Sequence, residues 1–270
     1  MPDRPRILPA LGYGAANVGN LFRALTDDEA WEVLEAAWDA GIRYYDTAPH
    51  YGLGLSERRL GAFLQTKPRD EYVLSTKVGR LQRPNPAPAG GLDPANDFYV
   101  PDHLRRVWDF SETGIRASIA ESQARLGIER IDLLYLHDPE RHDLDLALAE
   151  AFPALEAVRA EGIVEAIGVG SMVTEALARS VREADLDTIM VAGRYTLLEQ
   201  PAAGEVLPAC VETGTGIVAA SVFNSGLLAQ SEPRRDGRYE YGALPDALWE
   251  RLLRIAQVCR AHGVPLPAAA

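Results

Sequence analysis

Apolar residues fall along this chain in short runs that alternate with longer helical stripes. Positions 11–14 predict a brief strand. Thr26-Asp27-Asp28-Glu29 spells a capping box, and Trp31, Leu34, Ala37 and Trp38 follow it on one helical stripe. Gly41 closes that helix, and 42–46 reads as a buried strand. Ser56 opens a short helix through Leu64, and 72–77 supplies a third strand. A helix starts near Ser111 with Ile115, Ile119 and Ser122 on one face, and 131–137 is an apolar strand with a polar end. Helix 145–160, strand 166–169, helix 173–184, strand 188–191, helix 202–213, strand 216–220 and helix 246–261 complete the series.

Strand followed by helix, seven times over, with apolar strands throughout, indicates a parallel sheet covered by helices. A doubly wound dinucleotide binder would carry a glycine-rich turn after its first strand. Gly12-Tyr13-Gly14 offers neither a third glycine at the right spacing nor a helix opening there. The expected fold is therefore an α/β (β/α)8 TIM-type barrel, one domain over 1–270. A closed barrel needs eight strands to remove its edges, so the seven-fold pattern implies that the eighth βα unit is missing from this chain. The stretch 79–110 holds five prolines and is too long for an ordinary connection. It is expected to be a functional loop, mobile until a ligand orders it.

Composition narrows the function. With 47% hydrophobic and 24% charged residues, the chain has ordinary globular usage. A formal net charge of −12 disfavours nucleic-acid binding. No apolar run reaches the roughly 18 residues of a membrane span. Met1-Pro2-Asp3-Arg4-Pro5-Arg6 lacks the apolar segment of a secretory signal. Cys210 and Cys259 suggest neither a disulfide framework nor a metal site, which points to a reducing cytoplasm and no metal. Oligomeric state is not encoded legibly.

Barrel chemistry gathers at the C-terminal ends of strands. Those ends supply Asp46, Lys77 and His137, and Tyr51 stands five residues past Asp46. Each has a plainer reading: a turn cap, a snorkelling lysine, a structural histidine, an aromatic at the core edge. Together at successive strand ends they form a proton-transfer set. A free tyrosine has a pKa near 10. A buried lysine beside it favours the phenolate, a carboxylate keeps that lysine charged, and a neutral histidine can hydrogen-bond a substrate oxygen. On this reading, Lys77 lowers the Tyr51 pKa.

The run Gly41-Ile42-Arg43-Tyr44-Tyr45-Asp46-Thr47-Ala48-Pro49-His50-Tyr51-Gly52 resembles the signature of the aldo-keto reductase family. Ser56-Glu57-Arg58-Arg59-Leu60-Gly61, Ser75-Thr76-Lys77-Val78 and Ile131-Asp132-Leu133-Leu134-Tyr135-Leu136-His137 are similar to its following motifs, in the same order. The resemblance implies a barrel that binds NAD or NADP, with Tyr51 as general acid/base, Lys77 and Asp46 tuning it, and His137 orienting substrate. Val107-Trp108-Asp109-Phe110-Ser111, His137-Asp138-Pro139, 191–198 and Phe223-Asn224-Ser225-Gly226-Leu227-Leu228 are most like the sugar dehydrogenase subgroup, the L-fucose and D-threo-aldose 1-dehydrogenases, with pyridoxal 4-dehydrogenase nearby. That implies oxidation of a sugar C1 hydroxyl to a lactone, or turnover of a small aldehyde or alcohol.

By the same resemblance, Asp46, Ser171, Arg194, Phe223, Asn224, Gly226 and Leu227 would contact the cofactor. The chain departs from the family at Gly168-Val169-Gly170-Ser171-Met172, where many relatives place Ser-Asn, and at Phe223, which stands in for a stacking tyrosine. The competing reading is a non-catalytic, reductase-like protein that senses nucleotide or binds a partner. A tuned phenol has no use in such a protein.

Overall fold

The computed structural model describes residues 8–93, 96–240 and 242–270; the Met1-Pro2-Asp3-Arg4-Pro5-Arg6 stretch lies outside the described residues. The strands in chain order are β1 (Tyr13–Gly14), β2 (Tyr44–Asp46), β3 (Val73–Val78), β4 (Arg80–Pro84), β5 (Leu92–Asp93), β6 (Phe98–Pro101), β7 (Leu104–Trp108), β8 (Leu133–His137), β9 (Ala166–Ser171), β10 (Thr188–Ala192) and β11 (Gly216–Ala220). Among the described residues, β1, β2, β3, β8, β9, β10 and β11 form one sheet in that order, with helices between successive strands. This is the α/β strand-and-helix alternation that the hydrophobic pattern predicts. By contacts the chain divides into two compact units, Met1–Val169 with Glu183–Thr188, and Gly170–Arg182 with Ile189–Ala270.

In the first unit, β1, β2, β3 and β8 pair in parallel. The register sets Asp46 opposite Ser75 and Lys77 opposite Tyr135, so polar residues meet on the same levels of neighbouring strands. Helix α1 (Asp27–Asp39) starts at the capping box: Glu29 N donates to Thr26 Oγ1 (3.1 Å), and Thr26 N donates to Glu29 Oε2 (2.7 Å). Helices α2 (Leu55–Leu64) and α3 (Glu112–Leu126) pack against each other, and α3 against β3, with Leu60, Phe63, Leu74, Ile115, Leu133 and Leu134 all buried. Their close approach requires Gly61, where an added Cβ would lie 2.1 Å from the Leu126 carbonyl oxygen.

The 79–110 stretch is not an irregular loop. β4 pairs antiparallel with β7 from Arg80↔Trp108 to Pro84↔Leu104, and β5 pairs with β6. Pro84 and Pro101 close β4 and β6, where a missing N–H costs the ladder least, and Pro86 and Pro88 lie in the segment after β4. The predicted helix 145–160 is also not uniform: Leu144–Leu146 passes through a π turn at Ala147–Ala151 into Phe152–Ala160.

In the second unit, helix Thr174–Glu183 buries Leu177 and Val181, and helix Asp246–Ala261 buries Leu252 and Ala256. Leu198, Leu227, Leu228, Leu244, Leu252 and Leu266 form its core cluster. β11 is apolar as predicted, yet Ile217 is 38% exposed, because an edge strand has a neighbour on one side only.

Candidate active site

Four short segments of the first unit bring the predicted chemistry together. β2 ends at Asp46, β3 carries Lys77 and β8 ends at His137, all three buried. Tyr51 sits in the turn after β2, fixed by Gly52. That glycine has φ 60, and a Cβ there would lie 2.1 Å from the Gly19 carbonyl oxygen, so no other residue fits.

Lys77 Nζ donates to Asp46 Oδ2 (2.5 Å) and to the Thr47 carbonyl (2.9 Å), and lies 4.7 Å from the centre of the Tyr51 ring. Asp46 Oδ1 accepts from Ser75 Oγ at 2.7 Å. The Tyr51 ring is edge-on to His137 with ring centres 5.6 Å apart, and packs at 6.2 Å against Phe98 from the ribbon.

Electrostatics assigns each group a state. Burial works against the Lys77 charge, but the Asp46 carboxylate and the Tyr51 oxygen outweigh it, so Lys77 titrates above an ordinary lysine and stays an ammonium. His137 is pushed well below the usual imidazole range, first by burial and then by Arg80 and Lys77, so its ring is neutral. Tyr51 departs from the sequence expectation. Lys77 does pull its pKa down, but burial is larger and the net direction is upward. The phenol therefore holds its proton, and the ammonium limits how far burial raises it.

Sequence reasoning passed over a second tier of residues. His50 is held neutral by burial and by Arg80, and its ring centre stands 5.4 Å from that of His137. Arg80 Nη2 donates to Asp138 Oδ2 (2.5 Å), and its guanidinium lies 4.4 Å over the Trp108 ring. Arg106 Nη2 donates to the His50 carbonyl (2.8 Å) and pairs with Asp93 at 2.7 Å. Asp138 follows His137 with φ 43, a left-handed conformation uncommon outside glycine. Adjacency to Tyr51 was the available signal for His50; nothing local in Arg80-Leu81-Gln82-Arg83-Pro84 marked the others.

The residues expected to meet a cofactor lie in the second unit, except Asp46. In the Ser221–Leu228 turn, Ser221, Asn224, Ser225 and Gly226 all have positive φ. Asn224 Oδ1 is buried without a hydrogen-bond partner, and nothing stands within 4 Å of where a Cβ of Gly226 would be. A groove of about 260 Å³ runs past Ser225, Gly226, Glu232, Arg234 and Asp236, with Arg234 paired to Asp236 at 2.7 Å. An unsatisfied amide oxygen beside open backbone at a glycine fits a polar ligand such as a dinucleotide. Phe223 is 42% exposed, so its ring is open to a ligand rather than absorbed by packing. Ser171 is buried, and its Oγ accepts from Val173 N at 2.9 Å.

Two candidates are placed differently. The Leu227 side chain belongs to the unit's core, leaving only its backbone for a ligand. Arg194 is engaged by the Met172 carbonyl (2.9 Å), Glu199 (3.2 Å), Tyr239 (3.2 Å) and Glu240. Its guanidinium ties these segments together.

Among the described residues, no three His, Cys, Asp or Glu side chains are grouped to hold a metal, and no helix is long and apolar enough to cross a membrane.

Residues 10–270 match the model of the aldo/keto reductase family. The chain is 83% identical to a D-threo-aldose 1-dehydrogenase from a Pseudomonas species, over 97% of this chain and 80% of that protein. It is 39% identical to pyridoxal 4-dehydrogenase of Microbacterium luteolum, again over 97% and 80%. Among solved structures, the glycerol dehydrogenase of Gluconobacter oxydans aligns with a TM-score of 0.72 at 23% identity, covering 95% of this chain and 76% of that one; the likeness is one of fold.

Proposed function

The chain belongs to the aldo/keto reductase family, and from that premise we propose that it is an NAD(P)-dependent aldose 1-dehydrogenase whose proton is handled by Tyr51. The observation that carries this reading is the buried Lys77–Asp46 pair beneath the Tyr51 ring, with the neutral His137 ring beside it. A pure binding protein gains nothing from an ammonium desolvated under a phenol, whereas proton transfer depends on it.

The Asn224–Gly226 turn, with Phe223, Ser171 and the Leu227 backbone, would hold the dinucleotide, and Arg194 would keep that loop in shape. The oxidised nicotinamide, once bound, supplies a hydride acceptor. His137 and Tyr51 orient the C1 hydroxyl of the sugar. That hydroxyl gives its proton to the Tyr51 phenolate as C1 loses hydride and C1=O forms, so the hemiacetal becomes a lactone. Tyr51 must first shed its own proton, and Lys77 makes that possible inside a site whose burial opposes it.

Substrate class follows from the walls. His50, Arg80 and Asp138 carry both donors and acceptors, and Trp108, packed against Arg80 and His142, backs them. Such walls suit a polyhydroxylated substrate better than an apolar aldehyde. The two free, buried cysteines fit a reducing, cytoplasmic setting, which we include in this reading.

The test is turnover of a panel containing L-fucose, D-arabinose, L-galactose and pyridoxal with NAD⁺ or NADP⁺, followed by nicotinamide absorbance. Oxidation of at least one aldose is expected. Cofactor binding with no turnover anywhere on the panel would favour the non-catalytic reading.

A further inference from the structure

Beyond the four residues of the site, the hydrogen-bonded chain continues inward. Ser75 Oγ, which donates to Asp46 Oδ1 at 2.7 Å, also lies 3.0 Å from the Tyr44 hydroxyl, and that hydroxyl lies 3.4 Å from the Tyr135 hydroxyl. Ser75, Tyr44 and Tyr135 are all buried. A serine has one hydroxyl proton. Because Ser75 spends it on Asp46, the Tyr44 contact must run the other way, with Tyr44 donating to Ser75. Tyr44 in turn can accept only from Tyr135. All three hydroxyls therefore point their protons toward the same carboxylate oxygen.

Barrel interiors are ordinarily filled with branched apolar side chains. Three buried hydroxyls there, bonded to one another and to Asp46, depart from that filling. We propose that Ser75 is a positioning residue for proton transfer: backed by Tyr44 and Tyr135, it holds Asp46 Oδ1 so that Oδ2 alone meets Lys77, and thereby sets how much of the ammonium charge reaches Tyr51. This rests on the reading of Tyr51 as the proton-transferring group.

The physical consequence has a sign. Without the Ser75 hydroxyl, the carboxylate is free on one side and concentrates its charge on Lys77. Less positive charge then remains for the phenolate, and the phenol holds its proton to higher pH. The other charged or titratable groups facing the phenol are His137 and Asp138 at the end of β8, His50 in the β2 turn, and Arg80, Arg106 and Arg141 around them. None is altered by a change at Ser75.

The experiment is the pH dependence of kcat/KM for aldose oxidation, with saturating cofactor, in the unaltered chain and in Ser75→Ala, Ser75→Thr and Tyr44→Phe, with thermal midpoints alongside. Ser75→Ala is expected to move the ascending limb up by about one pH unit and to lower the rate about ten-fold on that limb. Ser75→Thr keeps a hydroxyl and should restore the limb, and Tyr44→Phe should move it in the same direction by less. Should Ser75→Ala prove unstable, Tyr44→Phe decides alone. A limb that stays in place, or a rate lowered equally at every pH together with the midpoint, overturns the proposal and assigns these hydroxyls to packing. If the unaltered chain shows no Tyr51-dependent turnover, the functional reading itself fails and takes this inference with it; that outcome is distinct from a fixed limb in an active enzyme.

Discussion

Tyr51 is caught between two opposed effects of one environment. Burial raises the cost of its phenolate, while the Lys77 ammonium lowers it. Tyr51→Phe keeps the ring packing against Phe98 and removes only the proton carrier, so kcat should fall by roughly 10²–10⁴-fold, the range for a lost general acid/base. Cofactor affinity, measured by fluorescence quenching, should change little. Oxidation should accelerate as pH rises and aldehyde reduction should slow, because the two directions need opposite protonation states of one phenol.

The two buried imidazoles make a separate prediction about stability. His50 and His137 are held neutral in the fold by burial and by Arg80, whereas in the unfolded chain they charge below about pH 6.5. The unfolded state then binds more protons, so stability is full above that pH and falls as pH drops below it, by about 1.4 kcal/mol per unit for each imidazole. Urea midpoints between neutral and mildly acidic pH should show this slope, and His50→Gln should roughly halve it. These residue roles were only partly legible in the sequence. Strand ends located Asp46, Lys77 and His137, but the net direction of the Tyr51 shift depends on burial in three dimensions, which adjacency in a motif does not convey.

At the scale of elements, the β4–β7 ribbon completes the site by carrying Arg80 and Arg106 to the β2 turn. Arg106→Ala would leave Asp93 buried without its partner, at a cost of about 3 kcal/mol by the usual price of a broken buried pair. Urea unfolding should read that loss, together with a raised KM for substrate as His50 loses its carbonyl anchor. Gly61→Ala should destabilise by about 1–3 kcal/mol through overpacking alone, with kinetic constants unchanged in the folded fraction.

Helices with caps and periodic stripes were legible, as the Thr26–Glu29 box illustrates. The ribbon was not. Arg80-Leu81-Gln82-Arg83-Pro84 alternates too weakly, and its pairing partner lies about twenty residues on, beyond the reach of any local signal. The π turn at Ala147–Ala151 likewise leaves no mark in an alanine-rich run.

At the scale of the whole molecule, strand order was the most legible feature, because seven apolar strands separated by helices admit few parallel arrangements. Function was legible only through the site, since the same architecture hosts unrelated chemistries. The central claim is that proton transfer in this protein runs through the Tyr51 oxygen under the influence of Lys77. The most direct measurement is aldose oxidation by the unaltered chain and by Tyr51→Phe, at matched cofactor saturation. Turnover that collapses in the variant while the cofactor still binds is the expected result; a variant that oxidises the sugar at the full rate would contradict the account.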